Sequence, residues 1–545
     1  MTKRNSNKLQ EVGVIRKRWR GRRSVAIVFP DSYGLGMANL GFQRIYELLN
    51  REDDVVAERF FYNGLPSDAR SLESRRHLSE FDLVIFSISF EQSYLNIALF
   101  LAQAGIPPLR VKRSGMPLIV AGGICCQINP CPIFDFFDAF FLGDFEAMCG
   151  PLLDFILGPD LSGSNKEALL SSLSQRHEWV LCPGISRKKC VQPAIFTGTA
   201  ETVPHTVVVS NMSSFKNTFL IELGRGCGRG CRFCAAGFVY RPPRLWPEDA
   251  IQRTMSDTKG AKKIGLVGLE YVNKGFVSSL SRGLVEKGYG LGFSSLRADT
   301  ITEEFVELLI KSKNYTATIA PEAGSERLRR VINKNLSEQQ ILFAAETFAR
   351  AGLKNLKLYF MMGLPFEEDE DIHEISDLSI KIRDIMLCHS RGRGKMGNVI
   401  VSVSTFVPKP WTPFQWAPFI SLPVLERRRE ILRRRLFSEP NIRLRLDSVE
   451  AAFLQAIISR GDEFLGVRLA RLALKKMGTK KMVKELSGVA ENYLGERDKN
   501  DLFPWEVVNH RVKRKYLLAQ WEKAGRGKQT SFCQPEVCKR CGACA

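Results

Sequence analysis

Between Ser24 and about Pro151, short apolar runs alternate with segments whose apolar positions recur at helical spacing. SVAIVFP is followed by NLGFQRIYELLN, FDLVIFSIS by YLNIALFLAQAG, and MPLIVAGG by a last short run, AFFLGD. Runs rich in valine and isoleucine that lead into helices predict a parallel sheet covered on both faces, a doubly wound, Rossmann-like α/β domain. Ligands of such sheets bind beyond the carboxyl ends of the strands. Those ends read PDSYGLG, SISFEQS, AGGICCQ and GDFE, which puts Gly34, Ser87, Gly122, Gly123, Gly143 and Glu146 at the edge of the expected pocket.

A second alternating series starts at Thr218. FLIELG, KIGLVG, LGFSSL, TATIAPE, LKLYFMMG and VIVSVSTFVP read as strands with helices between them. Six such units fall short of a closed eight-fold barrel and predict an open, partial (β/α)6 barrel with its mouth at the strand ends. After Leu422 the pattern turns helical and strongly basic, as in LPVLERRREILRRRL and FLGVRLARLALKKM. The chain therefore divides into a basic arm (1–23), a Rossmann-like domain (24–160) and a connecting segment (161–217). A barrel core (218–421), a helical region (422–530) and a cysteine-rich tail (531–545) follow.

Composition changes this picture little. At 545 residues, 44% apolar and 25% charged, the chain is an ordinary globular protein of several domains. Its net charge of +21 suits a polyanionic partner such as RNA, yet the excess lies in local runs such as RKRWRGRR, which equally suit a solvated face or a loose arm. No aromatic-interleaved basic motif of the RNA-platform kind accompanies them. No run reaches the roughly 18 apolar residues of a membrane helix, and the basic start lacks the apolar segment of a secretory signal, so a cytoplasmic protein is expected. In that compartment the 14 cysteines read as metal ligands or reduced core thiols.

Two cysteine groups stand out. GRGCGRGCRFC places Cys227, Cys231 and Cys234 at C-x3-C-x2-C after the first strand of the second series, at the barrel mouth. Thiolates at this spacing let one loop wrap one iron–sulfur cluster, and the surrounding glycines let the backbone turn tightly around it. A zinc site completed from a distance and a set of buried structural thiols are the alternatives. Three ligands on a four-iron cube leave one iron open. In the tail, Cys533, Cys538, Cys541 and Cys544 have the spacing C-x4-C-x2-C-x2-C, whose last part copies the start of ferredoxin motifs. They are expected to hold a second iron–sulfur cluster or zinc, against the alternative of a flexible tail. Cys125, Cys126 and Cys131 read as core thiols.

GCGRGCRFCAAG resembles the cluster loop of radical S-adenosylmethionine (radical SAM) enzymes. The resemblance implies a [4Fe–4S] cluster on Cys227, Cys231 and Cys234, whose open iron chelates S-adenosylmethionine and whose electron cleaves it to start radical chemistry. It further implies SAM contacts at Phe233, at Gly268, Leu269 and Glu270, at Ser294 and Arg297, at Glu322 and Ser325, and at Met362 and Gly363. A reducing partner of the flavodoxin or ferredoxin kind is implied as well. FPDSYGLGMANLGFQRIYELLN, AGGICCQINPCPIFDFFDAFFLGDFE, STFVPKPWTPFQW and FPWEVVNHRVKRKYL extend the likeness to a group with a cobalamin-binding-like N-terminal domain and a cysteine-rich C-terminal tail, and in many cobalamin-dependent radical SAM enzymes a methyl group passes through cobalt to an unactivated carbon. One departure matters. The cobalamin signature of aspartate, histidine two residues on, then glycine is absent, because Asp31 is followed by Ser32, Tyr33 and Gly34. Either a corrinoid binds with no protein ligand below the cobalt, or the fold is kept without it. A tRNA- or ribosome-modifying radical SAM enzyme and a non-enzymatic electron-transfer protein are the rival readings, and the substrate is not readable.

Overall fold

The computed structural model describes residues 8–62, 64, 69–158, 161, 165–185, 190–198, 201–268, 274–293, 295–390 and 397–544. Two parallel sheets organise the chain. The first contains β1 (Arg23–Phe29), β2 (Val55–Phe61), β3 (Leu83–Ser87), β4 (Leu118–Gly122), β5 (Ala139–Phe141) and β6 (Val180–Leu181), in the order β2-β1-β3-β4-β5-β6. Only β6 runs antiparallel. Nearly every residue of β1, β3 and β4 is buried, as a sheet sandwiched between helices requires. The helices α1 (Leu40–Arg51), α2 (Ser93–Gln103), α3 (Ile124–Ile128) and α4 (Phe145–Leu157) supply that cover.

Three details differ from the sequence expectation. VVAERFF forms β2, a strand hidden in the sequence because Glu58 and Arg59 interrupt its apolar run; both are buried. Arg59 is neutralised there by Glu11 (2.7 Å) and Glu73 (2.6 Å), and Glu58 accepts from Trp19 and Ser74. The basic arm is not loose from Lys8 onward. Glu11–Val12 pairs with Val209–Ser210, and Trp19 meets Phe81 edge-on at 4.8 Å. The sheet also runs into the segment read as a connector, through β6 and a bridge between Gly143 and Ala194.

The second sheet is the open arc expected, with one strand more. Its members are β7 (Thr218–Glu222), β8 (Lys263–Val267), β9 (Gly290–Phe293), β10 (Thr316–Glu322), β11 (Asn355–Met362), β12 (Val399–Thr405) and β13 (Ile442–Leu446). They form a three-stranded portion (β7 to β9) and a four-stranded portion (β10 to β13), each paired in sequence order and all parallel, and an isolated bridge from Leu296 to Ile319 links the two. The seventh strand, IRLRL, lies inside the region read as purely helical. Its alternation of apolar residues with the outward Arg443 and Arg445 suits an edge strand. Among the described residues no helix is long and apolar enough to cross a membrane.

Candidate active site

The carboxyl ends of both sheets face one cavity of about 380 Å³. Ser87, Gly122, Gly123 and Gly143 line it from the first sheet, and Glu222, Gly224, Cys227 and Gly268 from the second. Glycines at this seam allow backbones to meet. Gly268, at φ +83°, lies so close to Gly224 that an added Cβ would fall 2.0 Å from the Gly224 carbonyl oxygen. At Gly143, φ +129°, a Cβ would fall 2.2 Å from the Ala194 carbonyl oxygen.

Among the sequence-selected edge residues, Gly34 does not line the cavity. It sits under the loop before β7, where its carbonyl accepts from the Ser214 N–H at 2.9 Å. Glu146 lines the cavity, but its carboxylate is engaged in a network of ions between the sheets. The Arg225 guanidinium reaches Asp144 at 2.8 Å, Glu146 at 3.1 Å and Glu222 at 2.9 Å. Arg244 pairs with the second oxygen of Asp144, Arg44 lies 3.6 Å from Glu146, and the Trp246 indole N–H donates to Glu222 at 3.0 Å. Burial alone would raise the Asp144 carboxyl, yet Arg225 and Arg244 hold it below its ordinary value. Sequence reasoning missed this network, because Arg225, Asp144 and Arg244 are far apart in the chain and carry no spacing signal.

The three loop cysteines lie between the paired segments Gly224–Arg225 and Arg244–Leu245. Gly226 (φ +88°) and Gly230 (φ +71°) take the left-handed turns of the loop. The Arg229 N–H points at the Cys227 sulfur at 3.4 Å, and the Cys234 N–H donates to the Cys231 carbonyl at 3.1 Å. Asn333 holds the loop from below, donating to the Arg229 and Gly230 carbonyls at 3.2 and 3.1 Å. Arg232, fully buried, donates to the Arg330 and Val331 carbonyls. Desolvation, with the Cys231 and Cys227 thiols beside it, pushes the Cys234 thiol up to about 12. A coordinated metal is the kind of charge that deprotonates such a thiol. Among the described residues no three His, Cys, Asp or Glu side chains gather tightly enough for a single metal ion.

Charged groups ring the loop on its barrel side. Glu322 ends β10 at φ +71° and accepts from Lys334 at 3.1 Å, while Arg297 pairs with Asp299 at 2.9 Å and donates to the Lys334 carbonyl at 2.9 Å. Burial pushes the Glu322 carboxyl up, against the pull of Lys334. Lys334 and Asn333 were not singled out from the sequence; the VINKN turn is their only trace there. Phe233 packs at the margin of an apolar cluster that contains Ala323 and Leu364. Ser325 is occupied structurally: it caps the helix Glu326–Val331 and bonds Asp371. Met362 is fully buried in the main core, whereas Met361 shares the Phe233 cluster. The Gly363 N–H is taken by the Glu367 carboxylate at 2.6 Å. Leu269, Glu270 and Ser294 lie outside the described residues.

Two family profiles match this architecture. One, for radical SAM proteins, N-terminal, covers residues 41–183, and one, for the radical SAM superfamily, covers residues 221–379. The chain belongs to the radical SAM superfamily. It is an enzyme of the radical SAM class, similar to Uncharacterized protein MJ0966 of Methanocaldococcus jannaschii (29% identity over 446 residues, 81% of this chain and 90% of the relative). It also resembles Uncharacterized methyltransferase PH0819 of Pyrococcus horikoshii (23% identity, 28% of this chain and 34% of the relative). Among solved structures, the radical SAM protein is similar to the cobalamin-dependent S-adenosylmethionine radical enzyme OxsB with aqua-cobalamin and S-adenosylmethionine bound. The identity is 14%, the coverage 86% of this chain and 71% of that one, and the TM-score 0.45. It is similar too to the methyltransferase TsrM from Kitasatospora setae (12% identity, 84% and 100% coverage, TM-score 0.45).

Proposed function

We propose that this radical SAM enzyme cleaves S-adenosylmethionine reductively at a [4Fe–4S] cluster held by Cys227, Cys231 and Cys234, and acts on a molecule held in the cavity between its two sheets. The observation that carries this reading is the cavity itself, in which Cys227 and Gly268 stand on one wall and the Rossmann strand ends on the other. When bound, cluster and SAM together supply the one-electron chemistry that starts the reaction. The chain's part is positional. Asn333 and Arg232 fix the loop, Lys334 and Glu322 set the charge beside Cys231, and the two sheets shield the site from water. A flavodoxin- or ferredoxin-class protein would supply the electron.

The cavity's place favours one finer reading, methyl transfer to carbon assisted by a corrinoid. The order β2-β1-β3-β4-β5 reverses direction beside β1, the position where doubly wound sheets take their ligands. A volume of about 380 Å³ is at the low end of small-molecule sites, so a corrinoid would present one face to the cavity and not be enclosed by it. Residues 31–34 place no histidine below it.

The test is anaerobic reconstitution followed by SAM and a reductant. 5′-Deoxyadenosine is expected from the native chain and is expected to fall at least about 100-fold in Cys231→Ser. A fully loaded native cluster that yields none would overturn the proposal. A corrinoid absorbance retained through gel filtration supports the finer reading, and its absence beside intact SAM cleavage removes that reading alone.

A further inference from the structure

The tail cysteines are not a free appendage; they are folded onto the cluster loop. The Cys533 N–H donates to the carbonyl of Gly228, the residue after Cys227, at 2.8 Å. Phe532 lies so closely under Gly228 that a Cβ there would come 2.6 Å from its ring, and the Arg229 guanidinium stands over the same ring at 5.3 Å. Just upstream, the Thr530 N–H donates to Asn333 at 2.8 Å, and this is the asparagine that holds Arg229 and Gly230. Arg232 reaches the Lys528 carbonyl as well. The loop and the tail thus share their fastenings.

The rest of the tail closes back on the same ground. The Cys541 carbonyl accepts from the Lys513 N–H at 2.8 Å, and Cys541 is buried in one cluster with Phe238 and Val239, which follow Cys234 in the chain. Gly542, at φ +91°, makes the turn between Cys541 and Cys544; a Cβ there would meet the Arg511 carbonyl oxygen at 2.9 Å. The Val537 and Cys538 N–H groups turn onto the Gln534 carbonyl at 3.1 and 2.8 Å. Two cations face the sulfurs. Arg241, between Phe238 and Tyr516, lies near enough to the Cys541 thiol to favour its thiolate, and Arg540 Nε lies 3.5 Å from the Cys538 sulfur.

We propose that Cys533, Cys538, Cys541 and Cys544 hold a second [4Fe–4S] cluster, built directly against the loop that carries the first. Four thiols and two guanidiniums form a site for an anionic thiolate cluster. The C-x2-C-x2-C run from Cys538 to Cys544 has the spacing that opens ferredoxin motifs, whereas zinc sites use two C-x-x-C pairs set apart by a longer loop, which favours a cluster over zinc. Cys533 and Cys541 are fixed by backbone bonds to the neighbouring elements, while Cys538 and Cys544 close the site from its outer, half-exposed side. This inference rests on the loop-cluster reading only for its neighbour, since the tail ligands are separate residues.

The experiment uses the full chain, reconstituted anaerobically with iron and sulfide, with iron and zinc assayed and the reduced protein followed by electron paramagnetic resonance. About eight irons per chain are expected in the native protein. Cys538→Ser/Cys544→Ser, which alters only the half-exposed side, should retain about four irons and a signal that changes on adding SAM. Cys227→Ala/Cys231→Ala/Cys234→Ala should also retain about four irons, with a cluster signal indifferent to SAM. Native protein with about four irons, with or without one zinc, overturns the proposal, as does an unchanged iron content in the Cys538/Cys544 variant. If the native chain holds about eight irons but no signal responds to SAM, the loop reading fails and the tail site stands.

Discussion

Replacing Arg225 by methionine tests how the two sheets are joined. Methionine keeps much of the side chain's bulk and removes the charge. The guanidinium touches Asp144, Glu146 and Glu222 at once, at 2.8 to 3.1 Å. After its loss Arg244 still faces Asp144 and Arg44 still lies near Glu146, so three carboxylates share two guanidiniums and one buried charge is uncompensated. Removing one partner from a buried ion pair costs about 3–5 kcal/mol, and that is the destabilisation expected at pH 8. The sign of its pH dependence follows from the carboxyls. In the native chain Asp144 is held below its ordinary value, so it stabilises the fold above the unfolded-state value and loses this as pH falls through the folded one. Without Arg225 the largest single pull that opposes burial is lost, and the folded Asp144 carboxyl rises from its native value. The folded variant then takes up protons before the native fold does, and its deficit shrinks as pH falls towards 5. Urea unfolding at pH 8 and pH 5.5 measures both quantities, with tryptophan emission as a probe, because the Trp246 ring lies 5.5 Å from Arg225 and its N–H is bonded to Glu222. A deficit below about 1 kcal/mol at pH 8, or one equal at the two pH values, would refute the reasoning.

Two further changes probe the seam and its cover. Gly268→Ala should cost about 1–3 kcal/mol through its left-handed backbone alone, and more because its Cβ is driven into Gly224, so a lower denaturation midpoint and faster loss of loop iron to a chelator are expected; unchanged values would contradict the close approach. His510, buried with its Nε2 2.7 Å from the Gln127 carbonyl, is pushed down to about 4 by desolvation. The unfolded chain therefore binds a proton between pH 6.5 and 4 that the folded chain refuses, and stability falls across that window by up to about 3 kcal/mol. His510→Gln should flatten this acid slope between pH 7 and pH 5, and an identical slope in both proteins would remove His510 from the account.

The strands that could be read from the sequence were those with uniform environments. β1, β3 and β4 are buried on both faces, so their residues are apolar without break. β2 was hidden by Glu58 and Arg59, charges whose partners lie elsewhere in the chain, and β13 by arginines alternating along an edge. The same division holds at the site. The loop cysteines and glycines announce themselves because their chemistry is local to one segment. Asn333, Lys334 and Arg225 do not, since each works through partners dozens or hundreds of residues away. Ser325 and Met362 show the opposite limit: position at a strand end marked them, and their side chains face the helix cap and the core.

The junction at Arg225 also bears on how such a chain can be inherited. Asp144 and Glu146 stand at the start of α4, after the first sheet's strand β5, while Glu222 ends β7 and Arg225 lies in the short pair that follows it, and no single exchange of charge among them passes without a stranded ion. The two halves therefore do not behave as interchangeable modules. A recombinant that joins this radical core to a foreign Rossmann half lacking both acids leaves Arg225 with Glu222 as its one acidic partner and takes Asp144 from Arg244 at the wall of its own cavity. The cavity is a property of neither half, since each supplies one of its walls.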